Sequence, residues 1–528
     1  QRAKTGYRKR KIMSQEKATT QGMNRAKLYQ LILFPMNNGA TNVYYILTLN
    51  FIAYYANGVL GLLLIFATTM VTVMRLFDAV TDPIIGALID RTSTKFGKFR
   101  PFMVLGNVIM IVSSICLYFG TRIISGDMMW LRYVCFVLFY ALYVIGYTFQ
   151  TACTRSGQTC LTNDPKQRPL FTIFNTIASL IGMGLVQFLA PILSEKLGGY
   201  NSADFFNVMI PLAIVVSAVL TLLAVIGIWE KDRPEFFGVS KTQEKVKVKE
   251  YLAILKANKE LQRLMIAGAG CKLAFSIATN MTVLCMLYGA MMGNYDGLYL
   301  PMMIVGYIFS VPFFLLTVRT SQKHGQKASL VRYTGIALAM YVGVLVLLVL
   351  WKQGNPAWNL SLGPVNLYTV LFIIFFGIGY GAYYSTADMP IPMVADCSDY
   401  ETFRSGRYIP GIMGTLFSLV DKLVSSLGST VVGVAVAMIG IQTLPDGNTP
   451  YSDGMHGVVI VLFCIVPMLA WIITLIAMKG YTLTGKRMKE IQAVNAVRKD
   501  AISQGMTLED AMKKWTQIEQ VPEKFKQS

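Results

Sequence analysis

Residues 59–90 read VLGLLLIFATTMVTVMRLFDAVTDPIIGALID and run on into RTSTKFGKFRP at 91–101. Up to Ile89 the only charged residues are Arg75, Asp78 and Asp82. The apolar run exceeds the roughly 20 residues needed to cross the hydrocarbon core of a bilayer. The three charges fall at i, i+3 and i+7, so a helix gathers them on one face. That face cannot point at lipid, because a charge in hydrocarbon is costly unless it meets a partner or water. The stretch predicts a transmembrane helix whose polar face is turned into a helix bundle.

The same reading extends along the chain. The 528 residues are 54% apolar and only 14% charged, with a mean hydropathy of +0.50, and this excludes an ordinary water-soluble surface. Six apolar runs lie near Leu31–Asn57, Val59–Asp90, Phe102–Gly120, Leu131–Cys153, Phe171–Leu193 and Phe206–Trp229. Six more lie near Leu264–Met292, Leu298–Val318, Tyr333–Trp351, Val365–Val394, Gly411–Ile441 and Val458–Met478. The expected class is an all-α integral membrane protein of twelve transmembrane helices. Its expected parts are an N-terminal tail (1–30), a six-helix bundle (31–229), a basic linker (230–263), a second six-helix bundle (264–479) and a C-terminal tail (480–528).

Of the 48 lysines and arginines, Arg122, Arg132, Lys196 and Lys352 lie in loops of one side, and Arg75, Lys272 and Lys422 lie within spans. All the others fall in the tails or in loops of the opposite side, so both termini are expected in the cytoplasm. The net charge of +20 is spread over these loops with no nucleic-acid module, which argues against nucleic acid as a partner. The basic N-terminal tail precedes a run too long for a signal-peptide core, so it reads as leading into an uncleaved first helix. The eight cysteines show no metal or disulfide spacing, and both histidines, His324 and His456, fall in or near loops. Gly480, Gly485 and Lys486 imitate a nucleotide loop, but Arg487 stands where a hydroxyl would be needed.

Arg91–Gly97 reads RTSTKFG and Arg319–Gly325 reads RTSQKHG, five identical positions of seven at equivalent places in the two halves. Two parallel six-span repeats are the pattern of major facilitator transporters, whose solute sites lie between the repeats near mid-membrane. No nucleophile with an orienting base and no metal motif occurs in the spans, and no repeated filter motif suggests a channel. The remaining rival to a coupled transporter is a solute sensor or uncoupled facilitator of the same architecture.

The intramembrane charges are the functional candidates. Asp78 and Asp82, one turn apart, can jointly offer oxygens to a hard cation such as sodium. Alternatively one of them carries a proton, its affinity raised by burial and by its neighbour. Arg75 would stabilise the empty site, or form a static pair with Asp78. Asp90, Arg91 and the basic run to Arg100 are expected at an inner gate. Lys272 in span seven and Asp388 in span ten are expected either to line a solute cavity or to pair. Asp421 and Lys422 are adjacent and so diverge by about 100°; Lys422 is expected to bridge toward the span-two carboxylates. Tyr44, Tyr45, Tyr54, Tyr55, Tyr140, Tyr143, Tyr147, Tyr380, Tyr383 and Tyr384 supply rings for stacking or packing.

At Arg75–Pro83, Asp90, Gly97-Lys98-Phe99-Arg100-Pro101, Ala395-Asp396, Asp399-Tyr400-Glu401, Gly406-Arg407 and Lys422, the chain resembles the glycoside, pentoside and hexuronide cation symporter family. The resemblance implies a major facilitator fold of two pseudo-symmetric bundles and symport of a sugar or glycoside with Na+ or H+. It implies no resident cofactor, a monomer in the bilayer of a bacterial inner membrane, and Asp78 and Asp82 as cation carboxylates with Thr148 as a further oxygen ligand. Thr81 stands where sodium-using relatives commonly carry asparagine. Asn42 and Thr151 fall where sugar-binding members have aspartates, and Arg155 where a tryptophan is expected. Exchanging two anions for neutral groups and adding a cation favours an acidic glycoside such as a hexuronide. Asp396, Asp399 and Arg407 join the expected coupling residues.

Overall fold

In the computed structural model, residues 25–92, 94–162, 167–233, 255–406 and 410–526 are described. They are helical, with a single isolated β-bridge between Thr94 and Gly97. We number the helical runs in chain order. α1 (28–59) is built from Leu28–Leu33, Met36–Ile46, two π-helical turns and Ile52–Tyr54. There follow α2 (Leu64–Arg91), α3 (Arg100–Tyr118), α4 (Met129–Leu161), α5 (Gln167–Lys196) and α6 (Ala203–Ile228). The second half holds α7 (Lys259–Ala278, bent by 46° into Met281–Met291), α8 (Tyr295–His324), α9 (Gln326–Leu350), α10 (Leu367–Ser405), α11 (Pro410–Met438) and α12 (Met455–Gly480).

Ten of these runs are long and apolar enough to cross a membrane, and eleven if the bent α7 pair is one span. α1 falls short by continuity, because its π turns at Leu47–Phe51 and Tyr55–Val59 break the α-helical ladder. It nonetheless occupies the place of the first expected span, with Phe51, Tyr54 and Tyr55 all buried.

α2 shows why the spans fold as they do. Val73, Leu76, Val80, Ile84 and Leu88 form an exposed stripe suited to lipid, while Asp78, Thr81, Ile85 and Ile89 are buried on the other side. Contact with lipid needs no polar partner, so the charges are confined to the inner face.

The residues group into two compact units, one of 1–62, 77–193 and 202–243, the other of 63–76, 194–201 and 244–528. Within the first, α3 packs on α4 and on α6, and α1 packs on α6. Within the second, α9 packs on α10 and on α12, and α7 packs on α12. The same pairings six helices apart are the structural form of the repeat read in the sequence. The repeated heptapeptides agree too: Gly97 (φ +103°) and Gly325 (φ +88°) both adopt the conformation that glycine reaches without strain. In the first unit α3 and α4 approach through Gly106 and Gly146, where a Cβ on either would lie 2.8 Å from the other's carbonyl oxygen. In the second, Thr72 near the start of α2 donates to the Ser426 carbonyl of α11 at 2.9 Å and meets Thr430 at 2.8 Å.

Of the basic linker, residues 234–254 lie outside the described residues. Its beginning is fixed: Asp232, fully buried, accepts from the backbone N–H groups of Lys98 (2.8 Å), Phe99 (3.0 Å) and Arg100 (2.9 Å) at the start of α3. The Arg100 Nε adds an ion pair at 3.3 Å, and its guanidinium sits 4.5 Å from the Trp229 ring centroid. An acidic side chain at a helix N-terminus satisfies donors that the helix leaves open. At the edge of the same unit Lys27 pairs with Glu230 at 3.0 Å, a contact that holds the carboxyl below and the ammonium above their ordinary values.

The tail carries two helices, α13 (Gly485–Ser503) and α14 (Leu508–Lys514). It is docked: Met488 and Ile491 share a core with Met393, Cys397 and Tyr481, and Arg498 donates to the carbonyls of Phe403 (2.7 Å) and Trp515 (2.6 Å).

Asp232→Ala leaves three N–H donors and one buried guanidinium without their carboxylate. We expect a loss of roughly 3 kcal/mol in stability, read as a lowered thermal midpoint of the purified protein, with Asp232→Asn falling between.

Candidate functional site

The site in the first unit is built from one face each of α1, α2, α4 and α5. On α2, Asp78 is 1% exposed, and Thr81, one turn on, donates to the Asp78 carbonyl at 3.0 Å. On α4, Thr148 and Thr151 lie at i and i+3 and Arg155 at i+7, one stripe of the helix. Thr148 Oγ1 lies 2.8 Å from Asp78 Oδ1, 3.3 Å from Thr81 Oγ1 and 2.9 Å from the Val144 carbonyl. A hydroxyl has one proton and two lone pairs, so Thr148 donates either to the carboxylate or back into its own helix. The four expected cation residues thus divide into a close trio, Asp78, Thr81 and Thr148, and Asp82 one turn along α2.

Asp82 faces a more open space. Its Oδ2 lies 3.6 Å from Arg155 Nη1, with 23% and 63% of the two side chains exposed. Arg155 also lines a cavity of about 460 Å³ together with Asn38, Asn42, Tyr147, Thr151, Thr154, Phe171, Asn175 and Ser179. That volume is within the roughly 300–1,000 Å³ of small-molecule sites. The lining is rich in amides and hydroxyls. Asn42 donates to the Asn38 carbonyl (2.7 Å) and to its Oδ1 (3.0 Å), and Asn38 donates to the Asn175 carbonyl (3.2 Å).

The three solute residues expected in this half, Asn42, Thr151 and Arg155, are therefore brought into one cavity. Asn38, Thr154, Asn175 and Ser179 were missed. Phe171, Asn175 and Ser179 recur every four residues, a stripe legible in the sequence only once α5 is known to face a polar space. Of the ten tyrosines, Tyr147 lines the cavity, stacked on Tyr45 with centroids 6.5 Å apart, while Tyr44, Tyr54, Tyr55, Tyr140 and Tyr383 are packed in the interior.

In the second unit Lys272 lies 2.5 Å from Asp388 and 3.7 Å from Asp421, so of the two expectations for Lys272 and Asp388 the structure shows pairing. Asp388 sits in the break between the two halves of α10 (Leu367–Thr386 and Pro390–Ser405), with 71% of its side chain exposed. Asp421 and Lys422 diverge as adjacent helical residues must: Asp421 faces Lys272, and Lys422 is 7% exposed. Arg75 is partly buried on the portion of α2 that belongs to this unit. Asp396 is partly buried near the end of α10, and Asp399 accepts from Gln492 (3.3 Å) and Asn495 (2.9 Å) of α13. The side chains of Asp90 and Arg91, and all of Arg407, lie outside the described residues.

An all-helical chain with ten or eleven membrane-crossing runs, a repeated packing pattern and a polar cavity walled by its spans is a polytopic membrane transport protein. The family described as MFS/sugar transport protein matches residues 34–485, and the chain belongs to it, a family of transporters and not of enzymes. The chain is 25% identical over 472 residues to a protein of Escherichia coli (strain K12) named "Putative glycoside/cation symporter YagG", covering 88% of this chain and 93% of that one. It is 23% identical over 482 residues to the glucuronide carrier protein homolog of the same strain, covering 89% and 96%. Among solved structures it resembles the nucleoside transporter NupG, with a TM-score of 0.55 at 13% identity, covering 86% of this chain and all of that one. A bacterial homolog of the human lysosomal transporter Spinster, inward-facing and unoccupied, gives a TM-score of 0.56 at 14% identity, covering 86% and 97%. These likenesses bear on the fold.

Thr148→Val removes a donor from a buried carboxylate and should cost roughly 1–3 kcal/mol in thermal unfolding. Thr151→Val, whose hydroxyl bonds only to the Tyr147 and Thr148 carbonyls, should cost less. Equal costs would mean that the Thr148 contact to Asp78 carries no stability of its own.

Proposed function

We propose that this protein is a secondary active symporter that carries a glycoside into the cell together with Na+ or H+, and that its favoured solutes are acidic, of the hexuronide type. The observation that carries the reading is Arg155, a guanidinium that lines the polar cavity and reaches a carboxylate of the cation site. The names of the two Escherichia coli relatives, a glycoside/cation symporter and a glucuronide carrier homolog, agree with both halves of it.

The cation is bound by Asp78 and Asp82, with the hydroxyl oxygens of Thr81 and Thr148 as further ligands. When it binds, the Thr148 proton turns to the Val144 carbonyl and a lone pair faces the ion, so the trio passes from a hydrogen-bonded to an ion-ligating state without moving a helix. Carboxylate and hydroxyl oxygens suit a hard cation. The alternative ion, a proton, is carried by one of the carboxylates. The solute sits among Asn42, Thr151 and Arg155, with the amides of Asn38 and Asn175 and the hydroxyls of Thr154 and Ser179 reading sugar hydroxyls. In the second unit the Lys272–Asp388 pair, with 71% of the Asp388 side chain exposed, is a further polar group that a solute can engage.

The transport cycle is alternating access by two six-helix bundles, 31–229 and 264–479, in a monomer of a bacterial inner membrane with both termini cytoplasmic. Arg75 and Lys422 act in coupling as intramembrane cations of the second unit. Arg100, Asp396 and Asp399 tie helix ends at the inner face.

Uptake into proteoliposomes of labelled acidic and neutral glycosides, under imposed sodium or proton gradients, tests this. Gradient-driven accumulation is expected, with the acidic solute competing better than its neutral counterpart. Asp78→Asn and Asp82→Asn should each abolish concentrative uptake in folded protein. Full accumulation by either variant would refute the cation assignment, and binding without accumulation under any gradient would point to an uncoupled facilitator or sensor.

A further inference from the structure

We propose that Arg155 is the internal surrogate for the coupling cation: it neutralises Asp82 in the empty protein and is handed to the anionic group of the solute when the cation takes its place. This rests on the cation and solute sites proposed above, and it supplies what they lack, a physical reason why one ligand recruits the other.

The geometry allows one guanidinium two partners in succession. Arg155 Nη1 lies 3.6 Å from Asp82 Oδ2, near the outer limit of an ion pair, and 63% of the arginine side chain is exposed. A buried, bidentate pair at 2.8 Å would be a fixed strut. A loose, half-hydrated one can be given up without leaving a desolvated charge behind. The partner to which it would turn is specified by the lining, because the cavity that Arg155 shares with Asn38, Asn42, Thr151 and Asn175 presents no carboxylate among the described residues.

Charge accounting then gives the coupling. Consider Asp82, Arg155, a monovalent cation and a monoanionic solute. With neither ligand the protein pair is neutral. With both, the cation sits on Asp82 and the solute anion on Arg155, and the set is again neutral. With cation alone, Arg155 is left uncompensated. With solute alone, and the other groups around Asp82 unchanged, Asp82 and the solute anion both draw on Arg155. Each half-loaded state therefore carries one excess charge, which water at the half-open site screens only in part. Empty and doubly loaded states are favoured over both, which is positive cooperativity, and linkage makes it reciprocal. Asp78 carries the same charge in all four states and so does not enter the balance.

The same arrangement sets specificity. A neutral glycoside can accept hydrogen bonds from Arg155 but cannot neutralise it, so it gains nothing from the exchange. The coupling factor should be large for an acidic solute and near one for its neutral counterpart.

The test uses the purified full-length protein and two probes, 4-nitrophenyl β-D-glucuronide and 4-nitrophenyl β-D-glucoside, titrated calorimetrically with sodium against choline as the inert cation. Where sodium is silent, proton uptake followed with an indicator dye takes its place. In the unmodified protein, saturating glucuronide should tighten cation binding by about 5–150-fold, with no such effect of the glucoside. Arg155→Gln should bind the cation about tenfold more tightly than the unmodified protein when no solute is present, since its competitor is gone, and should no longer distinguish the two glycosides. Arg155→Lys, which keeps the charge without the planar fork, should restore part of both effects. Asp82→Asn should bind the glucuronide without any cation, as tightly as the cation-saturated unmodified protein.

Unchanged or weaker solute-free cation affinity in a folded Arg155→Gln protein would overturn the inference while leaving the symport reading in place. So would equal cation enhancement of both glycosides. An unmodified protein that binds neither cation nor either glycoside would remove the reading on which the inference stands.

Discussion

A charge inside a membrane-spanning helix must be met by another charge, by hydrogen bonds or by water, and the architecture of this protein follows from where each such charge is met. Three solutions are visible. Asp78 is enclosed and held by a threonine hydroxyl on a neighbouring helix. Lys272 is shared between Asp388 and Asp421. Arg155, at the wall of the solute-sized cavity, pairs loosely with Asp82. The last is loose and partly exposed, so its partners can be exchanged without stranding a buried ion.

The burial of Asp78 fixes α2 against α4, because the carboxylate has to reach Thr148 for its hydrogen bond. With that contact made, Thr151 and Arg155, on the same stripe of α4, are presented beside it. The amides of α1 and α5 then complete a polar wall. Asn37 contributes by donating to the Gln150 carbonyl (2.9 Å) and to Thr154 (2.7 Å), bonds that hold α1 to α4 just behind the cavity. Polar groups in this region bind the helices together where they are buried and recognise a solute where they are open, the same chemistry separated only by access to water.

At the helix ends a different device appears. Asp232 is a single carboxylate serving three backbone donors and an arginine at the start of α3, and Gly97 is obliged to be glycine because a Cβ there would overlap that carboxylate. The basic heptapeptide that reads as a topology signal is thus also one side of a capping site. Its counterpart at Gly325 packs against Gly485 at the start of α13, so the repeat keeps the backbone conformation and changes the partner.

The sequence by itself determined the class, the span order, the repeat and the inward face of α2, because hydrophobic periodicity and the cost of a charge in lipid are local properties written residue by residue. It also put Asn42, Thr151 and Arg155 in view, through their place in a family pattern. It did not disclose the interruption of α1 by π turns, which depends on the packing of Phe51, Tyr54 and Tyr55. Nor did it disclose the acceptor role of Asp232, separated from its donors by more than 130 residues. The pairing of Lys272 with Asp388, and the meeting of Arg155 with Asp82, were decided only by tertiary structure. Which charge stands opposite which is a property of helices brought together from distant parts of the chain, and no local pattern encodes it.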